Sequence, residues 1–226
     1  MNESLNTSLN EMLATRHSVR GFKPEPVPQA TLDAIFTTAQ LAPSNCNTQP
    51  WKIHVASGET RQKLQQQLIA LASANTPPSP DFFYFDKFTD VHRQRQIECA
   101  AALYGSMGIE RGDKIGRQQA AMRNFEFFDA PHVAYICIPK EFCAVNVVDA
   151  GIYLQTLILA MHSHGVASCI QAVLTYYPQP AKELLGIDDA SGVIVGLSFG
   201  YEDPDIPANN TRTERASLEQ VVTFLS

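Results

Sequence analysis

The chain has no Cys-x-x-Cys pair, although it carries Cys46, Cys99, Cys137, Cys143 and Cys169. Zinc ribbons and dithiol redox motifs are therefore excluded. The odd count and scattered spacing suit reduced thiols, and no secretory pattern opens the chain, so a cytoplasmic protein is expected. Basic residues are in deficit: 17 Lys and Arg stand against 23 Asp and Glu, a net charge of −6. General nucleic-acid binding leaves a basic stripe, so none is expected here. A local basic pocket for a small anion remains open. Glycine is sparse, and neither Gly-x-Gly-x-x-Gly nor a Gly-rich loop ending in Gly-Lys occurs. That excludes the usual dinucleotide and P-loop signatures. The longest apolar stretch, around "GIYLQTLILAM", falls short of the ~18 residues of a membrane span. No membrane association is expected.

What is present fits one domain over residues 1–226, long enough for a sizeable core and short for two. "SLNTSLNEMLATR" gives one apolar helix face, with Ser4 as a cap. "QATLDAIFTTAQLA" gives another, with Pro28 in its first turn and Pro43 as its end. "WKIHVAS" alternates as a strand, and "GETRQKLQQQLIALASA" is a polar-faced helix. "NTPPSPDFFYF" reads as a loop. Residues 91–124 read as helical with a break at Gly112. "HVAYICIP" is a buried strand, residues 145–163 the most apolar helix, and "GVASCIQAV" a strand or extended turn. "PQPAKELLGI" is a short helix closed by Gly186, and "GVIVGLSFGY" is a last strand. Helices outnumber four dispersed strands, so the expectation is an α+β fold with a mixed sheet flanked by helices.

Two stretches do not look like core. In "RHSVRGF", Arg16, Ser18 and Arg20 are two residues apart, so an extended backbone puts them on one side. Two guanidiniums and a hydroxyl suit a phosphate. The competing use is structural: Arg16 complements a helix C-terminus and Arg20 is solvated. In "PSNCNTQP", Ser44, Asn45, Asn47 and Gln49 lie between two prolines. They can cap backbone groups of a loop. They can also read a ligand edge that alternates donor and acceptor, as a flavin does. Arg212 and Arg215 bring further cations to the same phosphate, or form a solvated loop. His162 and His164 diverge on a helix and read as terminal caps, and Cys46 reads as structural.

Together these motifs resemble the FMN-dependent nitroreductase family. The resemblance rests on Arg16-His17-Ser18-Val19-Arg20-Gly21-Phe22 and Ala42-Pro43-Ser44-Asn45-Cys46-Asn47-Thr48-Gln49-Pro50-Trp51. "DAGIYLQTLILAMHSHGVASC", "GVIVGLSFGYED" and the late arginine loop extend it over nearly the whole chain. "YGSMGIERGDKIGRQQAAMRNFEFFDAP" resembles the branch with nitrobenzoate and related nitroaromatic reductases.

The resemblance implies an intertwined α+β homodimer with FMN at each of two subunit interfaces. Arg16 and Ser18 would hold the phosphate with His17 in the same turn, completed by Arg215 and Arg212. Arg20 would face the N1/O2 side of the ring. Ser44, Asn45 and Asn47 would come from the neighbouring subunit, and Ile170, Gln171 and Ala172 would lie beside N5. In the helix after the first strand, where some relatives touch the ring edge, "KLQQQL" offers Lys63 and glutamines and no contact is assigned. Tyr84, Phe125 and Phe128 are either substrate-lining or core.

The implied chemistry is flavin-borne, with no metal and no protein nucleophile. NADH or NADPH would donate a hydride, and a small nitroaromatic, related aromatic or quinone would accept electrons in pairs by ping-pong kinetics. Flavin-dependent enone reduction or reductive dehalogenation is the nearest alternative. A flavin-storing or flavin-sensing binding protein is one of another class. A hydrolase, which needs a nucleophile elbow, is set aside.

Overall fold

The computed structural model describes residues 9–82 and 87–225. The helices are α1 (Leu9–Thr15), α2 (Gln29–Ala39), α3 (Gly58–Ser73), α4 (Asp90–Ser106), α5 (Lys114–Met122), α6 (Ala144–Ser163) and α7 (Pro178–Leu185). The strands are β1 (Lys52–Ser57), β2 (His132–Pro139), β3 (Ala167–Gln171) and β4 (Ser191–Gly200). Every element read from periodicity is present. Three punctuation marks differ. Pro28 precedes α2 as its cap instead of entering its first turn, α2 stops at Ala39 before Pro43, and α4 and α5 part over a longer break than Gly112 alone. Ser4 and Tyr84 lie outside the described residues.

The strands run in the order β1-β2-β4-β3, and all three pairings are antiparallel. A parallel element enters at one point only among the described residues, the bridge between Ser18 and Ser168. β2 and β4 are buried on both faces, which is why each reads as a continuous apolar run instead of an alternation. One core lies between the sheet and α2 and α6, with Ile35, Trp51, Tyr153, Leu157 and Leu197. The other lies toward α3 and α7, with Leu64, Leu68, Phe127, Tyr135 and Leu174. By length and composition α6 passes for a membrane span, against the sequence expectation. Its buried Tyr153, Leu157, Ile158 and Met161 make it a core helix instead. Gly186 ends α7 in the left-handed conformation, as its position predicts.

β3 is an edge, and the segment after α1 runs along it. The Val19 N–H donates to the Ser168 carbonyl at 3.1 Å, and Phe22 pairs with Glu202 at the end of β4. Val19 and Phe22 are buried in a small cluster with Phe128, Ala130 and Cys169. The apolar residues of this segment anchor it, so Arg16, Ser18 and Arg20 are left on its other side.

Candidate active site

A cleft of about 290 Å³ opens beside this edge. Arg16, His17, Ser18 and Arg20 line one wall, and Thr211, Arg212, Thr213 and Arg215 line the other. Asn209 joins the two walls. Its side chain is buried, accepts from the Arg20 N–H at 2.6 Å and donates to the carbonyls of Gly21 at 2.9 Å and Asp203 at 2.8 Å. The approach is close enough to require glycine at position 21, where a Cβ would meet Ile206 at 2.4 Å.

Four guanidiniums thus converge, and among the described residues none of them pairs with a carboxylate. Arg20 and Arg212 reach only backbone carbonyls, and Arg215 only the carbonyls and hydroxyl of its own loop. Burial and the neighbouring Arg215 charge push the Arg16 guanidinium below its ordinary pKa. Uncompensated like charges at one cleft are costly unless an anion joins them. A phosphate monoester, with its bidentate-accepting oxygens, fits this donor set and the Ser18 hydroxyl. His17 is spoken for: its ring nitrogens face the Thr15 carbonyl and the Glu202 carboxylate, each at 3.1 Å.

The Ile170-Gln171-Ala172 turn lies at the end of β3. Gln171 is not available to a ligand, contrary to a direct side-chain role. It is buried, accepts from Ser198 Oγ and donates to the carbonyl and side-chain oxygens of Asn124 at 2.9 and 3.2 Å. Ile170 and Ala172 are exposed and present an apolar surface. A second cavity of about 600 Å³ shares Arg20 with the phosphate cleft and reaches Asn124 and Phe128. Phe128 lines this cavity while being buried in the cluster with Val19 and Phe22. Phe125 does not: it is buried in the core toward α3 and α7, against Tyr177.

The amide row divides. Ser44 Oγ accepts from the Gln49 N–H at 2.9 Å, and Gln49 bonds Gln40 and the Asn47 carbonyl, so these two close the loop. Asn45 and Asn47 stay exposed. Cys46, Asn47 and Gln49 all take positive φ (49°, 57° and 46°), a strained path that costs about 1–3 kcal/mol per residue. Asp149 of α6 helps hold it by accepting from the Asn45 N–H at 2.9 Å. Cys46 is exposed and not a core thiol. None of the row lines the arginine cleft of the same chain.

His162 reaches Thr15 Oγ1 at 2.8 Å, tying α6 to α1, and His164 caps α6 as expected. One motif escaped the reading: Gly196-Leu197-Ser198-Phe199-Gly200 has the spacing of a nucleophile elbow. It lies inside β4 rather than at a strand-to-helix turn, and Ser198 is fully buried against Gln171, so it is no nucleophile. Glu202 and Asn209 were also missed. Both act through partners nearly the whole chain away, and no local pattern signals them.

Comparison with known proteins agrees with this geometry. The profile of the Nitroreductase family matches residues 13–201, and the chain belongs to that family. It is 38% identical to nitroreductase NfnB of Mycolicibacterium smegmatis over 94% of this chain and 91% of that protein. It is 32% identical to a 4-nitrobenzoate reductase of Pseudomonas putida over 98% and 97%. The structure of FMN-dependent nitroreductase NfnB from Mycobacterium smegmatis in complex with NADPH superposes with a TM-score of 0.91 at 36% identity, covering 96% of this chain and 97% of that one. The FMN and NADPH-dependent nitroreductase NfnB from sphigopyxis sp. strain HMH superposes at 0.92, with 33% identity over 97% and 100%.

Proposed function

We propose that the protein is an FMN-dependent NAD(P)H oxidoreductase that reduces nitroaromatic or related aromatic acceptors. The observation that carries this reading is the arginine cleft without a counter-charge among the described residues, sharing Arg20 with a larger, partly apolar cavity. One structural neighbour is FMN-dependent by description and is in complex with NADPH, another is described as FMN and NADPH-dependent, and one relative is named for 4-nitrobenzoate. FMN, when bound, supplies two-electron hydride chemistry.

The chain's own residues bind and orient. Arg16, Ser18, Arg212 and Arg215 hold the phosphate. Arg20, at the junction of cleft and cavity, faces negative charge on the ring side. Its backbone is fixed by Asn209, so the cation is in place beforehand. Ile170 and Ala172 offer the flat surface at the sheet edge. Asn45 and Asn47, exposed in their own chain, would close the site from a second copy. No side chain is needed as nucleophile. The free state of all five cysteines suits a reducing cytoplasm.

The test is direct. The purified protein should be yellow, and heat should release FMN, identified by chromatography. NADPH should bleach the bound flavin, and a nitroaromatic should restore its colour. Recovery of FAD, or a colourless protein that FMN does not reconstitute, would defeat the cofactor assignment. Bound flavin that neither NADH nor NADPH bleaches would point to a storage protein.

A further inference from the structure

The cavity next to the cleft has a mixed wall. Leu103, Met107, Ile109, Phe128 and Ile206 form its apolar part. At about 600 Å³ it falls within the range of small-molecule sites. Three charged side chains line it: Arg20, Asp113 and Arg123. Arg20 belongs to the flavin in the reading above. Asp113 caps α5, accepting from the Gly116 N–H at 2.8 Å, and places its carboxylate group at the wall.

That leaves Arg123 as the remaining cation able to greet an acid. It is already occupied. Its Nη1 pairs with Glu126, and its two terminal nitrogens take both oxygens of Asp129, at 3.2 and 2.5 Å. Three of its N–H donors are taken by two carboxylates, Glu126 and Asp129. The one further cation in that group, Arg61, points its nitrogens at the Ala130 and Glu126 carbonyls and Gln65, and stacks on Phe127. Arg117 stacks on Tyr104 outside the wall. These pairings are held by the backbone: Phe127, Phe128 and Asp129 take consecutive positive φ values of 57°, 54° and 66°, which turns Asp129 back onto Arg123.

We infer that this cavity selects neutral aromatic acceptors and disfavours benzoate-type anions, with Glu126 and Asp129 masking Arg123 and Asp113 adding repulsion. This rests on the nitroreductase reading and adds the charge class of its acceptor. Discrimination here comes from an unfavourable element against the wrong ligand, not from an extra contact to the right one.

The test compares two near-isosteres, 4-nitrobenzamide and 4-nitrobenzoate, with the FMN-loaded enzyme and NADPH. The wild type should prefer the amide in kcat/KM by about tenfold or more. The two compounds differ in intrinsic reactivity, so the deciding quantity is the change in that ratio on mutation. Asp129→Asn tolerates the left-handed backbone and removes one of the two carboxylates paired with Arg123, and should move the ratio toward the acid by about three- to tenfold. Asp113→Asn, still able to cap α5, should move it the same way. Asp129→Glu should restore the preference for the amide. A purely structural role for Asp129 would lower both acceptors alike and leave the ratio fixed. Either that result in both Asn variants or a wild type that prefers the benzoate overturns the inference while leaving the reductase reading intact. Flavin that neither NADH nor NADPH can bleach overturns the reading itself, and the inference with it.

Discussion

Arg20 and Arg215 make a matched pair of tests, because each is a cation at the same cleft with a different neighbourhood. Arg215 sits on the exposed late loop, and in the proposed reading it would meet a phosphate that is charged throughout the cycle. Arg20 lines both the cleft and the larger cavity, where in the same reading it would meet charge that grows on reduction. Arg215→Ala should weaken FMN binding by about 1.5–3 kcal/mol, the worth of a charged hydrogen bond. Arg20→Ala should instead lower turnover more than it lowers FMN retention, and make the bound flavin harder to reduce. Spectroelectrochemical titration of the two variants decides: an unchanged potential in Arg20→Ala would remove its assigned role. Asn209→Ala should cost about 2–3 kcal/mol in urea denaturation, since it strands a buried N–H and two carbonyls at once. The i, i+2, i+4 spacing of Arg16, Ser18 and Arg20 was enough to read their common side, because an extended strand alternates strictly. The inward turn of Gln171 was not readable, because the direction of an edge strand depends on what β4 and the 124 turn place against it.

At the scale of elements, the proline-rich loop before α4 looked unstructured in sequence, yet its described part is fastened to the body. Asp81 Oδ1 takes Lys182 at 2.6 Å and Lys140 at 3.0 Å, and Asp81 Oδ2 takes the Val193 N–H at 3.0 Å. Ser79 bonds the Tyr176 carbonyl, and Tyr177 the Thr76 carbonyl. Proline content signals the lack of helix but says nothing of long-range ion pairs, so this anchor was invisible. Lys182 is buried, and removing its only ion-pair partner among the described residues should be severe. Asp81→Ala is expected to cost about 3–5 kcal/mol, and Lys140→Ala, at a half-exposed position, less than about 1 kcal/mol. Burial alone would raise the Asp81 carboxyl, but the bonds from Lys182, Val193 and Lys140 outweigh it and hold its pKa below the ordinary carboxylate value. A depressed folded pKa stabilises above the unfolded value and loses that stability as pH falls through the folded one. The wild-type melting temperature should therefore fall below about pH 4, and Asp81→Asn should flatten that part of the curve. Equal acid sensitivity in both proteins would refute the assignment.

At the scale of the whole molecule a second copy is expected, for a reason that α6 supplies. Sequence showed this helix apolar around nearly all its circumference. In the single chain only one side is covered, and Val145, Val148 and Ile152 remain 50%, 61% and 37% exposed along another. Asp149, next to Val148, holds the Asn45 loop at one end of the helix, and His162 joins α1 beside the arginine cleft at the other. From residue 149 to residue 162 the helix advances about 20 Å, so Asn45 and Asn47 do not reach the phosphate site of their own chain. Two copies related by a two-fold axis across the middle of α6 would pack their helices antiparallel. One protomer's amide loop would then lie beside the partner's arginines, and two equivalent sites would result. In that arrangement covering the exposed stripe and completing the site would be one event. Val148→Glu should split the dimer and release FMN together, because burying an unpaired carboxylate in an apolar interface is strongly unfavourable. Sedimentation velocity read in parallel with flavin fluorescence, on the variant and on diluted wild type, tests the linkage. Cofactor release should follow dissociation at every protein concentration, and a monomer that keeps its FMN would break the shared-site arrangement even with the flavin assignment intact.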